Sequence, residues 1–275
     1  MSSSAIKSMK LYSQVDRIYN DLANIGIGKD DPLNVDVLSP FDQYHYFGTR
    51  AVDEAIAAAG IGENSHVLDV GSGLGGPARW LAHRTGCYVT AVELQADLND
   101  TATALTWRCG LAGNIDHVCG NILSTLLDAG AYDAVVSWLA LYHIPDRAPL
   151  FPLLNNALRP GGKIYVEDLY QLAPFSAGER VDLETMLYGN TIPERDAYIA
   201  ELADAGFGDV GFEDMTESWK AFTVDRLAAF RAARAVYARV HSEDMFEALE
   251  AFYSSVARLF AGGHMGGVRL TAAKG

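Results

Sequence analysis

Residues 67–77 read Val67-Leu68-Asp69-Val70-Gly71-Ser72-Gly73-Leu74-Gly75-Gly76-Pro77, and this stretch decides the fold of the 275-residue chain. An apolar strand runs directly into a glycine-rich turn, and Pro77 suits the first turn of the helix that follows. Glycine lets a backbone approach a ligand closely, and the N-terminus of a helix offers unpaired N–H groups to that ligand. We therefore predict a strand, a turn and a helix, with a ligand bound at the turn.

Strand and helix patterns alternate outward from this turn. Strand-like apolar runs occur at His66–Val70, Tyr88–Val92, Ile115–Val118, Ala134–Trp138 and Lys163–Glu167, with helical patterns between them. Such alternation is typical of a parallel sheet that is covered by helices on both faces. Two further strand candidates lie at Asp209–Asp214 and Gly267–Ala272. The pattern predicts one α/β domain with a Rossmann-like, doubly wound, mostly parallel seven-stranded sheet.

The segments outside the predicted core are an N-terminal arm, residues 1–48, and a C-terminal part, residues 171–275. In the arm, one helical face carries Leu11, Val15, Ile18 and Leu22, and Gly28–Pro40 is predicted to be a loop. In the C-terminal part, two long helical patterns cover Trp219–Val240 and Ser242–Phe260. Insertions of this size commonly act as lids, so we predict a helical cap over about residues 216–262.

The composition excludes several classes of protein. A net charge of −14 argues against a nucleic-acid partner, because phosphate neutralisation needs fields of Lys and Arg. The three cysteines, Cys87, Cys109 and Cys119, have no metal-ligand spacing, and their odd number fits a reducing compartment. No stretch is long and apolar enough to cross a bilayer. We therefore expect a soluble, cytoplasmic protein without a metal site or a membrane partner, and a homo-oligomer stays open.

Two acidic residues narrow the choice of ligand. The letters Gly71-x-Gly73-x-x-Gly76 also satisfy the dinucleotide-binding pattern, which is weak by itself. Asp69, however, stands two residues before the first glycine, where a carboxylate suits a positively charged ligand group better than a pyrophosphate. Glu93 ends the second predicted strand, a position from which a carboxylate accepts both ribose hydroxyls. Together they favour a nucleoside with a cationic end over a nicotinamide dinucleotide.

With these residues and their order, the sequence resembles the class I S-adenosylmethionine-dependent methyltransferases. Further matching stretches are Gly120–Ile122, Tyr132–Trp138 and the predicted turn Leu158–Lys163. Within that superfamily the chain is most similar to the phosphoethanolamine, sarcosine/dimethylglycine and tocopherol methyltransferases. The resemblance implies S-adenosylmethionine as cofactor, bound by Asp69, Gly71, Ser72, Gly73, Gly75, Glu93, Leu94, Gln95, Asn121, Ile122 and Ser137.

His143 follows the fourth predicted strand at its carboxyl end, the edge at which open α/β sheets bind ligands. In the resembling enzymes a histidine at this position lies beside the methyl acceptor, so His143 is the predicted catalytic residue. A general base is needed only if the nucleophile arrives protonated. The alternative is that His143 merely caps the turn before Pro145.

The acceptor is predicted to meet an aromatic loop, Phe41–Gly48, and a basic helical stretch, Lys220–Arg239. The candidate substrate-binding residues are Gln43, Tyr44, His45, Tyr46, Trp138, Tyr142 and Arg234. Aromatic rings attract a cationic group, although the same rings could simply anchor the arm. Arg234 shares a helical face with Leu227 and Phe230, so it is expected to point inward and hold a carboxylate. The alternative for the basic stretch is a solvated face that pairs with nearby acids.

The predicted function is methyl transfer from S-adenosylmethionine to a small-molecule acceptor, with nitrogen or sulfur favoured because the aromatic loop suits a cationic product. A phosphobase acceptor fits poorly, because Leu139 and Leu169 replace an Asp and a Tyr of the phosphoethanolamine enzymes and lysines are scarce after Lys163. Two alternatives stay open. One is C- or O-methylation of an apolar or phenolic metabolite, and the other is a cofactor-binding scaffold without turnover.

Overall fold

The computed structural model describes residues 15–275 and contains a seven-stranded sheet. The strands are β1 His66–Val70, β2 Tyr88–Glu93, β3 Ile115–Cys119, β4 Tyr132–Trp138, β5 Leu158–Gln171, β6 Phe207–Asp214 and β7 Met265–Lys274. They lie in the order β3-β2-β1-β4-β5-β7-β6. Only β7 runs antiparallel to its neighbours. The predicted fold class is therefore confirmed.

Helices cover both faces of the sheet and form the arm and the cap. Their bounds are α1 Arg17–Asn24, α2 Val35–Asp42, α3 Thr49–Ala59, α4 Gly76–Thr85, α5 Ala96–Arg108, α6 Leu150–Ala157, α7 Ala177–Asp182, α8 Arg195–Asp204, α9 Thr216–Ala232, α10 Arg234–Val240 and α11 Glu243–Gly262. Successive strand residues point to opposite faces. Val67 and Val136 accordingly pack in one apolar core, and Leu68 and Val135 pack in the other.

The strand order places a ligand-binding crevice beside β1. The chain fills the sheet outward from β1 to β3 and then returns to place β4 on the other side of β1. Ligands of open α/β sheets bind at such a reversal of strand order, outside the carboxyl ends of the strands. The glycine-rich turn follows β1 at this edge.

The prediction of a loop over Gly28–Pro40 is wrong in its second half, because α2 begins at Val35. Asn34 caps this helix by accepting a hydrogen bond from the Asp36 N–H at 2.7 Å. Pro40 has no N–H for the Asp36 carbonyl, and the hydroxyl of Ser39 donates to that carbonyl at 3.1 Å instead. The Asn34 cap and the Ser39 hydrogen bond therefore allow a helix to include Pro40, a residue whose presence had indicated a loop.

The cap and β5 also differ from expectation in detail. The helix predicted over Trp219–Val240 is broken at Ala233, which separates α9 from α10 without a glycine or a proline. The predicted turn Leu158–Lys163 is a bulge inside β5, where four residues of β5 stand opposite one residue of β4. Leu11 lies outside the described residues. Within residues 15–275, no helix is long and apolar enough to span a membrane.

Candidate active site

The glycine-rich turn requires glycine for its backbone and for its close neighbours. Gly71, Gly73 and Gly75 all have positive φ angles, of 75°, 54° and 72°. A Cβ atom on Gly71 would also collide with the side chain of Ala140, which follows β4. One on Gly76 would collide with the backbone carbonyl of Asp42 at the end of α2. The turn is thus enclosed by the crevice on one side and by the arm on the other.

Glu93 is held in place by backbone donors at the end of β2. One carboxylate oxygen accepts the Gly73 N–H at 2.8 Å and the other accepts the Gln95 N–H at 2.9 Å. Each oxygen has a second lone pair for a ligand hydroxyl. Because Glu93 also lines the main cavity, its carboxylate is oriented in advance toward a bound molecule.

Asp69 is a buried carboxylate with an unsatisfied oxygen. Its side chain is 1% exposed, and its Oδ2 has no hydrogen-bond partner in the part of the chain that the structure describes. Burial, together with the nearby negative charge of Glu93, raises the pKa of Asp69 to about 8. Asp69 lies one residue before the cavity-lining Val70 and does not line the cavity itself. The described part of the chain therefore leaves one oxygen of this buried carboxyl group without a hydrogen-bond partner.

A cavity of about 490 Å³ lies at the carboxyl ends of β1 to β4, a volume typical of small-molecule sites. The structure brings eight predicted site residues together in its wall: Gly71, Gly73, Glu93, Leu94, Gln95, Asn121, Ile122 and His143. The wall also includes Leu98, Leu123, Ala140, Ile144 and Pro145, which were not predicted. They are ordinary apolar residues whose position depends on how α5 and the turns after β3 and β4 pack.

Asn121 and Ile122 shape the apolar end of this cavity in different ways. The Asn121 side-chain oxygen accepts the Leu123 N–H at 3.0 Å, so it caps the short 3₁₀ turn Ile122–Ser124. Ile122 is buried, and it forms an apolar wall together with Leu98 and Leu123. This end of the cavity suits a flat apolar ring.

Three of the predicted cofactor residues support the turn from outside the cavity. The Ser137 hydroxyl is fully buried and donates to the Val70 carbonyl at 2.8 Å, so it joins β4 to β1. Gly75 packs against His117 and Arg79, and the Ser72 hydroxyl is buried. Proximity in sequence to the cavity-lining positions therefore does not bring these three residues into the cavity wall.

Arg79 is a structural residue that sequence reasoning missed. It is completely buried in α4 and forms a salt bridge with Asp42 at 2.8 Å. It also donates to the Leu74 carbonyl within the glycine-rich turn and to the Ala102 carbonyl of α5. The arm, the turn and α5 are therefore joined through one guanidinium group.

His143 stands on the 3₁₀ turn Leu141–His143 and lines the cavity. Its Nδ1 lies 3.0 Å from the Tyr188 carbonyl oxygen, which can only accept, so Nδ1 carries the hydrogen and Nε2 is the basic nitrogen of the neutral ring. Burial lowers the pKa of His143 to about 4, so the ring is neutral at pH 7. The turn is further held by Asp168, which accepts the Tyr142 N–H at 3.3 Å.

The predicted acceptor-binding residues lie around two smaller spaces under the cap. An outer cleft of about 360 Å³ is lined by Gln43, Tyr44 and His45 of the aromatic loop and by Phe222, Arg226 and Tyr253 of the cap. An inner cavity of about 20 Å³ is lined by Tyr44, Tyr46, Leu139, Tyr142 and Arg226, among others. Trp138 is buried against His45, with ring centroids 5.5 Å apart, and lines neither space.

The expectation that Arg234 points inward is wrong. Its side chain is 53% exposed and forms salt bridges with Glu243 and Glu247. The break at Ala233 starts a new helix at Arg234, so the helical face counted from Leu227 does not continue to it. Arg226, one turn before Phe230 in α9, is the arginine that reaches the cleft.

A family model described as a methyltransferase domain matches residues 68–166. This part of the chain is therefore similar to methyltransferase domains. The matched segment runs from β1 into β5 and includes every residue that lines the 490 Å³ cavity. The arm and the cap lie outside the matched segment.

Named relatives of this methyltransferase domain act on different atoms. The sarcosine/dimethylglycine N-methyltransferase of Halorhodospira halochloris is 33% identical over 57% of this chain, and the chain spans 56% of that relative's length. The 24-methylenesterol C-methyltransferase 2 of Oryza sativa subsp. japonica is 26% identical over 81% of this chain and 66% of its own length.

A solved structure shares the fold of the methyltransferase domain and of its additions. The phosphoethanolamine N-methyltransferase 2 of Haemonchus contortus, in complex with phosphomonomethylethanolamine and S-adenosylhomocysteine, has a TM-score of 0.82 to this chain. It is 18% identical, and the match covers 100% of this chain and 61% of that one. The predicted fold is therefore confirmed, and so is the predicted resemblance to methyltransferases.

Proposed function

We propose that the protein transfers a methyl group from S-adenosylmethionine to a small-molecule acceptor, with nitrogen or sulfur as the favoured acceptor atom. The observation that carries this proposal is the pair of carboxylates at the glycine-rich turn. Glu93 faces the cavity with both oxygens oriented, and Asp69 is buried beside it with an oxygen that lacks a donor. A nucleoside with a cationic amino-acid end complements both groups.

The residues present fit this cofactor. Glu93 would accept the ribose hydroxyls, Asp69 would pair with the ammonium group, and the wall formed by Leu98, Ile122 and Leu123 would hold the adenine. When bound, S-adenosylmethionine supplies an electrophilic methyl group on a sulfonium. The chain's own task is then to position the acceptor and to keep water away from the reacting atoms.

His143 suits orientation better than strong base catalysis. A neutral ring with a pKa of about 4 accepts a hydrogen bond at Nε2, but it has little tendency to hold a proton at pH 7. We therefore propose that His143 orients the acceptor and takes a proton only from an acidic nucleophile. An amine that reaches the site already deprotonated needs no base.

C-methylation is a second candidate function. The sterol C-methyltransferase relative aligns over 81% of this chain, which includes more than the cofactor half. The inner cavity, lined by Leu139, Leu169 and Phe252 among others, also suits a small apolar group of an acceptor. Product identification distinguishes the two candidates.

Two experiments test the proposed function. Calorimetry with S-adenosylmethionine and with NAD checks the cofactor, and we expect binding of the first alone. Binding of NAD without S-adenosylmethionine would contradict the proposal. A screen of amines, thioethers, phenols and organic acids, with product mass spectrometry, then identifies the acceptor atom. A protein that binds the cofactor and methylates nothing in the screen would be a scaffold.

We also propose a cytoplasmic enzyme that binds neither nucleic acid nor membranes. The net charge of −14 supports the first exclusion. A homo-oligomer stays a prediction, which sedimentation would check.

A further inference from the structure

Arg226 is the charged side chain of the outer cleft. Among the described residues that line this cleft, the others are neutral, and His45 is neutral because burial lowers its pKa to about 4. The cleft separates the aromatic loop Phe41–Gly48 from the cap helices α9 and α11. The positive charge of Arg226 therefore determines the electrostatic character of this space.

The surroundings of Arg226 are aromatic rather than acidic. Its guanidinium carbon lies 4.5 Å from the ring centre of Tyr253, 5.0 Å from that of Tyr46 and 5.4 Å from that of Phe222. Its positive charge and a hydrogen bond also oppose the burial that raises the pKa of Tyr46. Rings attract the cation through their faces, but they offer no oxygen pair to its N–H edge.

The Nε–H group of the Arg226 guanidinium is unsatisfied. Nε of Arg226 is buried and has no hydrogen-bond partner within residues 15–275. Residues 1–14 contain no Asp or Glu that could supply one. Three other cap arginines are paired with acids: Arg231 with Glu250, Arg234 with Glu243, and Arg258 with Asp182. Arg226 is thus a cation that has an unsatisfied Nε–H group and no acidic partner among the described residues.

Arg226 also connects the cleft to the reaction centre. Arg226 and Tyr44 line both the outer cleft and the inner cavity. The lining of the inner cavity also includes Leu139 and Tyr142, while Ala140 and His143 of the same segment line the 490 Å³ cavity. The inner cavity therefore borders both Arg226 and the segment that lines the 490 Å³ cavity.

We propose, on the basis of the proposed function, that Arg226 binds the carboxylate of an acidic methyl acceptor. Guanidinium groups match carboxylates with two parallel hydrogen bonds, and the Nε edge supplies them. Among the described residues, the cleft has no second cation for a doubly charged phosphate. The acceptor class is a compact monocarboxylic acid with an apolar body, and only a small group fits the inner cavity of about 20 Å³.

The test compares acids with their neutral amides. Phenylacetate, 3-phenylpropionate and hexanoate, and the corresponding primary carboxamides, are titrated against the full chain in the presence of S-adenosylhomocysteine. We expect the wild-type protein to bind acids at least about tenfold more tightly than amides, and R226Q to lose that preference without a change in amide affinity. R231Q removes the same charge from an exposed, paired arginine of α9 and is expected to keep the preference.

Equal binding of acids and amides by the wild type, binding of no acid, or an acid preference that survives in R226Q would overturn the inference. R226K keeps the positive charge but loses the planar pair of N–H donors, so it should bind acids less tightly than the wild type. If R226Q does not fold, R226K provides the test of the inference. Calorimetry of S-adenosylmethionine on the same samples separates the two claims. Loss of cofactor binding by the wild type contradicts the proposed function, whereas retained cofactor binding without acid preference contradicts only the role of Arg226.

Discussion

Asp69 is a buried carboxyl group whose hydrogen-bonding capacity the folded protein does not fully satisfy. Burial and the charge of Glu93 raise its pKa to about 8, and its Oδ2 has no partner among the described residues. An isolated buried charge is unfavourable, so the carboxyl is mostly protonated near neutral pH in the free protein. A ligand ammonium group reverses this preference, because it stabilises the ionised form.

This linkage makes cofactor binding pH-dependent. Below its pKa of about 8, Asp69 must lose a proton to pair with an ammonium group, so S-adenosylmethionine affinity should rise with pH, by roughly tenfold per unit from roughly pH 6 to 7.5. D69N should bind weakly and without this dependence, and D116N, at an exposed position, should behave as wild type. Calorimetry across pH checks both. Affinity that is independent of pH in the wild type would contradict the pairing.

His143 should show no titration near neutral pH. Because burial lowers its folded pKa to about 4, the ring gains its charge only in acid, and activity should be insensitive to His143 ionisation down to about pH 5. H143N retains an N–H that can reach the Tyr188 carbonyl and should keep more activity than H143L. The pH profile of kcat/KM with an acceptor from the screen is the measurement. An inflection near pH 6.5 that disappears in H143N would refute the neutral ring.

A comparison of alanine variants at Gly71 and Gly73 distinguishes backbone strain from steric collision. Both have positive φ, but an added Cβ meets Ala140 at Gly71 and open space at Gly73. We expect G73A to lower the free energy of unfolding by about 1 to 2 kcal/mol and G71A to lower it by more. Denaturant unfolding of both variants checks this order. Equal losses would show that the contact with Ala140 is not restrictive.

At the scale of elements, the arm is attached to the site by buried polar contacts. Arg79 of α4 pairs with Asp42 of α2, and both side chains are almost completely buried. Arg17 of α1 donates to the hydroxyls of Tyr44 in the aromatic loop and Tyr237 in α10. The arm thus contacts both the glycine-rich turn and the cap. These contacts close one side of the outer cleft.

Removal of one partner from the buried ion pair should be costly. D42A leaves the Arg79 guanidinium uncompensated, so we expect a loss of about 3 to 5 kcal/mol in the free energy of unfolding. E250A breaks the exposed pair with Arg231 and should cost at most about 1 kcal/mol. Chemical denaturation measures both. The reasoning fails if D42A is no more destabilising than E250A, and D42A/R79L should recover part of the loss.

At the scale of the whole molecule, the net charge is negative and the 490 Å³ cavity lies at one edge of the sheet. The lining of the 490 Å³ cavity comes from the carboxyl ends of four adjacent parallel strands, and the cap packs on the aromatic loop through Tyr46, Trp219 and Phe260. One side of the site therefore belongs to the matched methyltransferase domain. The other side is built from the arm and the cap.

The net charge of −14 predicts that nucleic acids do not bind. Fluorescence anisotropy with a labelled double-stranded DNA and a single-stranded RNA at low salt should show no saturable binding in the micromolar range. S-adenosylmethionine is included so that the test uses the form proposed to act. Binding that weakens steeply as salt is added would contradict the exclusion, because that is the signature of phosphate contacts.

The strand positions and the cofactor side of the cavity were predictable because their signals are local. A buried parallel strand is a short apolar run, and a tight turn against a ligand needs glycine. The residue types at 66–76 are therefore sufficient to predict the strand and the turn. Glu93 was predictable for the same reason, since it ends a strand next to β1. The hydrogen bond from Ser137 to the Val70 carbonyl was not predictable, because a polar residue at a strand end can face a ligand or a neighbouring strand and the sequence does not distinguish them.

By itself, the sequence determined the α/β fold, the glycine-rich turn and the two carboxylates near it, because each depends on contacts between residues that are close in the chain or on strand periodicity. Only the tertiary structure decided which arginine reaches the cleft. Arg226 and Arg234 lie on one continuous helical pattern, and the break at Ala233 turns Arg234 toward Glu243 while Arg226 packs among Tyr46, Phe222 and Tyr253. These rings come from distant segments that only the packing of arm against cap brings together.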